Sequence, residues 1–325
     1  MDNVSQLPTL DPVREPALGR SQRVQVLTRV CADELLAAFG LGRLSRGRRP
    51  LDLLSRVPAK RLARQVATYD EIVGESGLAE GGAWALGRMA RRVEVEGQEN
   101  VPPGGPLLLV ANHPGLADAL ALFATVPRRD LRVVAAERPF LEALPNTSRR
   151  LIRVSEASQR RLGAVRIAAR HLRDGGAILT FPGGEIEPDP AVLPGAVKAL
   201  ERWSESLDLF ARLVPGLTVV PAAVSGVLSP TALRNPLTFV RRRPRDREWL
   251  AASLQMLTPA LRNVTTRVAF GWPVYAEDGA LREPVLDEMR HLIKEVAGYS
   301  EPGLLSYPPP GGEQHGERHA RAGAK

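Results

Sequence analysis

Leu107-Leu-Leu-Val-Ala111 is an unbroken apolar run that passes directly into Asn112-His-Pro-Gly115. A run this short, closed by Pro and Gly, suits a strand buried on both faces, the kind that sits in a parallel sheet between two layers of helix. The pattern recurs. Ala177 to Phe181 stops at Pro182-Gly-Gly184, Leu131 to Ala136 is a further apolar stretch, and Thr218 to Val224 is apolar after its first residue. Helical stripes lie between and beyond these runs. Leu162, Val165, Ala168, Ala169 and Leu172 recur at three-to-four spacing before the stop Asp174-Gly-Gly176. Ala119 to Val126 reads as a helix, and Glu283-Pro284 opens a last one with Val285, Leu286, Met289, Leu292, Ile293 and Val296 on one face. Val93 and Val95 alternate with Glu94 and Glu96 as in a half-buried strand, and Thr265 to Tyr275 is a strand interrupted by Gly271 and Pro273. Strands alternating with helices place residues 93–300 in the α/β class.

Residues 21–92 read as an N-terminal helical region. Val24, Val26, Leu27, Val30 and Cys31 keep helical spacing, as do Leu35, Leu36 and Phe39, and Gly40 offers a stop. From Leu41 to Arg64 eight basic residues face one acid, Asp52, with Leu51, Leu53, Leu54, Val57 and Leu62 as an apolar side. Such a segment suits an anionic membrane surface, or a helix packed on its own domain with a solvated arginine face. Residues 1–20 and 301–325 are expected to be disordered tails.

The chain has 325 residues, with 44 Lys and Arg against 36 Asp and Glu. That balance favours anionic partners: nucleic acid, phospholipid headgroups or phosphorylated small molecules. Aromatics are only 5% and none interleave with the arginine runs, which argues against a base-stacking surface. The one cysteine, Cys31, permits no intrachain disulfide, so a reducing compartment is expected. No apolar window is long enough to span a bilayer, and the N-terminus lacks a secretory signal.

Three blocks could carry chemistry. In the first, Asp118 follows His113 by five residues, an offset of about 140° on a regular helix, which would point the two apart. Pro114 and Gly115 break the backbone between them, so the side chains can meet. An imidazole held by a carboxylate keeps one tautomer and becomes a better base. No Ser or Cys is close by, so such a base would activate a hydroxyl that arrives with the substrate. The same residues also suit a loop histidine with Asp118 as a helix cap. In the second block, Gly183 and Gly184 let backbone N–H groups approach a ligand, with Glu185 and Glu187 just beyond; a plain turn reads the same way. In the third, Pro221 stands inside a strand, marking an edge, a bulge or a functional loop. The five histidines show no metal spacing. A Gly-x-Ser-x-Gly elbow, a Walker loop and a dinucleotide loop are all missing.

In this order the blocks resemble the glycerolipid acyltransferase family of the lysophosphatidic acid acyltransferase type. Asn112-His113 with Asp118 matches its first motif. Phe181-Pro182 and Gly184 match part of the third, although Pro182-Gly-Gly-Glu-Ile-Glu187 is closer to the Pro-Gly-Gly-x-x-Glu form of diacylglycerol acyltransferase-like branches. Val219-Val-Pro221 matches the fourth. The resemblance implies a mixed sheet flanked by helices. It implies an O-acyltransferase that moves a fatty acyl group from acyl-CoA or acyl-carrier protein to a lipid hydroxyl, with no cofactor. His113 would be the base, oriented by Asp118, with Gly183 and Gly184 offering oxyanion donors. Substrate contacts would come from Asn112, Phe181, Pro182, Gly183, Gly184, Glu185, Glu187 and Pro221. The family's arginines in motifs two and three are absent; Glu156 and Glu185 stand near their places, and Arg160 and Arg161 are the replacements expected. Carboxylates there would repel a phosphate, which points to a lyso-lipid or diacylglycerol-type acceptor. The expected location is the inner face of the membrane, peripherally bound, with no nucleic acid partner. The competing reading is a catalytically idle lipid-binding protein on the same scaffold.

Overall fold

The computed structural model describes residues 19–42, 48–155, 158–275 and 280–298. The two tails, apart from residues 19 and 20, lie outside this set, as does Glu156. The strands are β1 (Arg92–Glu96), β2 (Leu107–Ala111), β3 (Arg132–Ala136), β4 (Leu151–Val154), β5 (Ala177–Thr180), β6 (Thr218–Ser225), β7 (Thr265–Phe270) and β8 (Val274–Tyr275). The longer helices are α1 (Arg20–Ala38), α2 (Arg48–Glu75), α3 (Leu78–Leu86), α4 (Leu116–Thr125), α7 (Ser158–Arg173), α9 (Ser206–Leu213), α11 (Pro244–Leu257) and α12 (Arg282–Val296). Single-turn helices α5 (Pro139–Glu142), α6 (Pro145–Ser148), α8 (Ala196–Ala199) and α10 (Pro230–Leu233) fill the loops.

The strands form one mixed sheet in the order β1-β7-β6-β2-β5-β3-β4, with β8 also on β6. Strands β6, β2, β5, β3 and β4 run parallel; β7 and β8 pair antiparallel to β6, and β1 is parallel to β7. The alternation along β2 explains the layers. Leu107, Leu109 and Ala111 face α1–α4, packing with Leu27, Cys31, Ala63, Ala121 and Leu122. Leu108 and Val110 face α7, α9 and α12, packing with Leu172, Leu207, Met289 and Ile293. The N-terminal helices therefore share a core with the sheet and cover one of its faces. Cys31 is part of that core, and burial pushes its thiol up to about 12, so it should resist thiol reagents until the protein unfolds.

Helix α2 differs from its sequence reading. It buries Ala59, Ala63, Ala67 and Val73, a stripe of mostly small residues, whereas Leu53, Leu54 and Val57 are exposed. Alanines at four-residue spacing let α1 approach closely, and that stripe took precedence over the larger leucines. Arg20 and Arg23 of α1 pair with Glu71 near the end of α2, so the two helices are antiparallel.

The proline in β6 has a structural cause. The Pro221 carbonyl accepts the Gly271 N–H (2.8 Å) on the side away from β2. The missing N–H of Pro221 therefore points to the same side, where Gly271 to Pro273 interrupt β7 and β8. No ladder bond is lost there. Pro221 is buried in the sheet, at a position where its ring costs no pairing.

Candidate active site

Parallel strands β6, β2 and β5 are neighbours, so the loops leaving their carboxyl ends meet at one edge of the sheet. β2 leads into Asn112 and His113. The buried Asn112 amide donates to the Val224 carbonyl (2.9 Å), and its oxygen accepts the Val224 N–H (2.7 Å). Its side chain therefore ties the end of β2 to β6. Asn112 thus holds the start of the histidine loop in place.

Next comes Gly115, whose φ of 151° lies in a region that favours glycine. The chain turns there into α4, and Asp118 reaches back. Its Oδ2 accepts the Gly115 N–H (2.8 Å) and lies 2.8 Å from His113 Nδ1. Asp118 is fully buried, while the His113 side chain is 28% exposed. One carboxylate thus caps the first turn of α4 and also contacts the His113 ring. With its proton on Nδ1, a neutral ring carries a lone pair on Nε2. Burial alone would lower the His113 pKa. The Asp118 charge and hydrogen bond, with the Glu187 charge, outweigh it and leave the imidazole raised. The Phe181 ring stacks on the imidazole at 4.5 Å between centroids.

Glu187 fastens the glycine turn to the histidine loop. Its N–H donates to the His113 carbonyl (2.8 Å), its Oε2 accepts the His113 N–H (3.2 Å), and its Oε1 accepts the Trp203 indole N–H (2.7 Å). Burial pushes the Glu187 carboxyl up, against the pull of those donors. Gly183 is required by this arrangement, because a Cβ there would stand 2.2 Å from Glu187 Oε1. Gly183→Ala is expected to displace the Glu187 carboxylate and destabilise the fold by about 1–3 kcal/mol, read from the urea midpoint. An unchanged midpoint would show that Glu187 can move without cost.

The remaining expected residues divide. The Gly184 N–H donates to the Phe181 carbonyl (3.0 Å), whereas the Gly183 N–H has no partner among the described residues. Pro182 is buried, and its carbonyl accepts the Ser204 N–H (3.1 Å). Glu185 turns outward to Arg245 (2.8 Å), whose hydrogen bond and charge hold its carboxyl below the usual range. The repulsion expected of Glu185 is therefore neutralised. Arg160 and Arg161 stand in the first turn of α7, and their side chains lie outside the described residues. Arg128, from the same arginine run, is buried on the Pro102, Gly105 and Gly175 carbonyls, at the opposite edge of the sheet.

Sequence reasoning missed Asp189, Trp203 and Arg245. The Asp189 carboxylate accepts the N–H groups of Ala191 (3.0 Å), Gly226 (2.9 Å), Val227 (2.8 Å) and Leu228 (2.9 Å). It thereby fixes the loop after β6 beside Gly115. The run Glu187-Pro-Asp189-Pro190 held a signal: an acid between two prolines has few local N–H donors, so it must find distant ones.

No curated protein matches the chain in sequence. Among solved structures it is similar to the crystal structure of the 1-acyl-sn-glycerophosphate (LPA) acyltransferase PlsC from Thermotoga maritima. The two are 20% identical, with 86% of this chain and 94% of that chain covered at a TM-score of 0.39. Residues 92–225, less than half of the chain, match the protein-family model described as Acyltransferase. The matched stretch runs from the start of β1 to the end of β6 and holds His113, Asp118 and the glycine turn.

Proposed function

We propose that the protein transfers a fatty acyl group from acyl-CoA or acyl-carrier protein to a lipid hydroxyl, of the lyso-lipid or diacylglycerol type. The observation that carries this reading is the 2.8 Å contact between His113 Nδ1 and the buried Asp118 carboxylate, inside the stretch that matches the Acyltransferase family model. Nε2 takes the proton of the acceptor hydroxyl as its oxygen attacks the thioester carbonyl. Asp118 balances the imidazolium that forms. A C–O bond forms, the tetrahedral oxyanion collapses, and the C–S bond breaks. The departing thiolate takes the proton back from Nε2. The Gly183 N–H is the candidate oxyanion donor, and one such donor contributes ~3–4 kcal/mol in comparable sites. No step calls for a cofactor.

The Pro182-Gly-Gly-x-x-Glu187 form supports the diacylglycerol acyltransferase-like branch, since here its glutamate holds the turn against His113. No helix among the described residues is long and apolar enough to cross a membrane. Peripheral attachment to the inner face of an anionic membrane fits the reading, and binding to anionic vesicles is then expected to weaken as salt rises. The test is thiol release and acyl-lipid product from long-chain acyl-CoA, offered a panel of lyso-lipid and diacylglycerol acceptors. Transfer by the wild type, lost in His113→Ala, is the expected result. No transfer by either protein, with vesicle binding kept, would establish the idle lipid-binding reading.

A further inference from the structure

The loop and helix start between Pro236 and Trp249 carry an exposed surface that the reaction does not use. Leu237, Phe239, Val240 and Trp249 are all exposed, with Phe239 at 62% and Val240 at 61%. They do not protrude for want of order. Thr238 between them is fully buried, and its hydroxyl donates to the Leu233 (3.0 Å) and Asn235 (2.8 Å) carbonyls. Asn235 accepts the Leu237 N–H (3.0 Å), and Arg247 donates to the Arg241 carbonyl (2.8 Å). The fold thus presents these apolar side chains on a hydrogen-bonded frame. Clustered exposed apolar groups of this kind mark an interaction surface.

Charge selects the occupant. Six arginines stand against two acids between Arg234 and Trp249. Arg241 is paired with Asp246 (2.8 Å) and Arg245 with Glu185 (2.8 Å). Exposed Arg242 and Arg243 have no carboxylate partner among the described residues. Apolar and aromatic tips beside free arginines match an anionic bilayer surface, with hydrocarbon just below the headgroups and negative charge among them. The position fits as well. Arg245 also donates to the Ile186 carbonyl (3.3 Å), and Ile186 is itself exposed. The patch is therefore joined to the glycine turn that Glu187 ties to His113.

We infer that the Pro236–Trp249 segment is a docking surface for anionic phospholipid bilayers, which brings the glycine turn beside His113 to the membrane. It rests on the lipid-acceptor reading for its purpose, though not for its test. The full-length protein is floated with phosphatidylcholine vesicles, with and without phosphatidylglycerol. Three variants are compared: Phe239→Ser with Val240→Ser, Arg242→Ser with Arg243→Ser, and Leu53→Ser with Leu54→Ser and Val57→Ser. Transfer from a short-chain thioester to a water-soluble alcohol is measured in parallel. The arginine pair is expected to lose roughly five-fold in partition for each residue, on phosphatidylglycerol vesicles only. The Phe239/Val240 pair is expected to lose about ten-fold or more on both. Both should keep the wild-type melting temperature. Loss in these variants supports the surface even where the wild type transfers no acyl group, a result that would sink only the enzymatic reading. Wild-type binding in both pairs, with loss confined to the Leu53 set, overturns the inference in favour of α2. Binding of an acidic acyl-carrier protein to the patch, without vesicle binding, overturns it as well.

Discussion

His113→Ala is expected to lower acyl transfer by about 10²–10⁴-fold while the protein remains folded. The ring is partly exposed and its main partner is Asp118, which keeps its bonds to Gly115 and α4, so little of the core depends on the imidazole. The pH profile separates this role from a structural one. The base is the neutral ring, so the rate rises with pH through the His113 pKa. The half-maximum should lie above the ordinary value of about 6.5, because Asp118 and Glu187 together outweigh burial. Asp118→Asn removes the strongest raising influence. Its acid limb is expected to move to lower pH while the plateau falls, as the ring loses its fixed tautomer. A plateau loss without movement of the limb would mean that Asp118 only caps α4. Stability follows the same shift with opposite sense. A pKa raised on folding gives stability that is complete below about pH 6.5 and fades as pH rises through the folded value. His113→Ala should flatten that slope.

Asp189→Ala should be the most damaging single change to stability. It leaves four backbone N–H groups without their acceptor, three of them in the buried loop Gly226–Leu228. Each unsatisfied buried donor carries a desolvation penalty, and partial relaxation brings the total to about 3–5 kcal/mol. For a chain of this size that corresponds to about 4–7 °C in Tm. Asp189→Asn should rescue little, because its NH2 group would face N–H donors. Thermal and urea midpoints check this. A loss below about 1 kcal/mol would show that the loop finds other acceptors. Activity should fall with stability, since Val227 packs beside Gly115.

Local pattern carried much of the fold. The runs at Leu107, Leu131, Ala177 and Thr218 are strands because continuous apolar stretches bounded by Pro and Gly leave few alternatives. Even the interruption at Gly271 and Pro273 appears, as the break between β7 and β8. β4 escaped notice because four residues with an arginine among them, Leu151-Ile-Arg-Val154, give no period to detect. The site was legible where it is local. His113 and Asp118 meet across one turn that Pro114 and Gly115 announce. The Glu187–Trp203 and Glu185–Arg245 contacts join residues 16 and 60 positions apart, and only the tertiary fold brings them together. Glu185 and Asn112 stood out by their place in a motif, whereas the bonds they make to Arg245 and Val224 needed the tertiary fold.

An amide side chain is planar and holds one acceptor and one donor in nearly the geometry of a peptide group. Asn112 uses both toward a single residue, so the strand gains a further rung after its own backbone has begun to turn away. How high the imidazole stands above the sheet is thereby set by a side chain imitating main chain. Neither aspartate nor leucine, close in size, could reproduce both halves of that imitation.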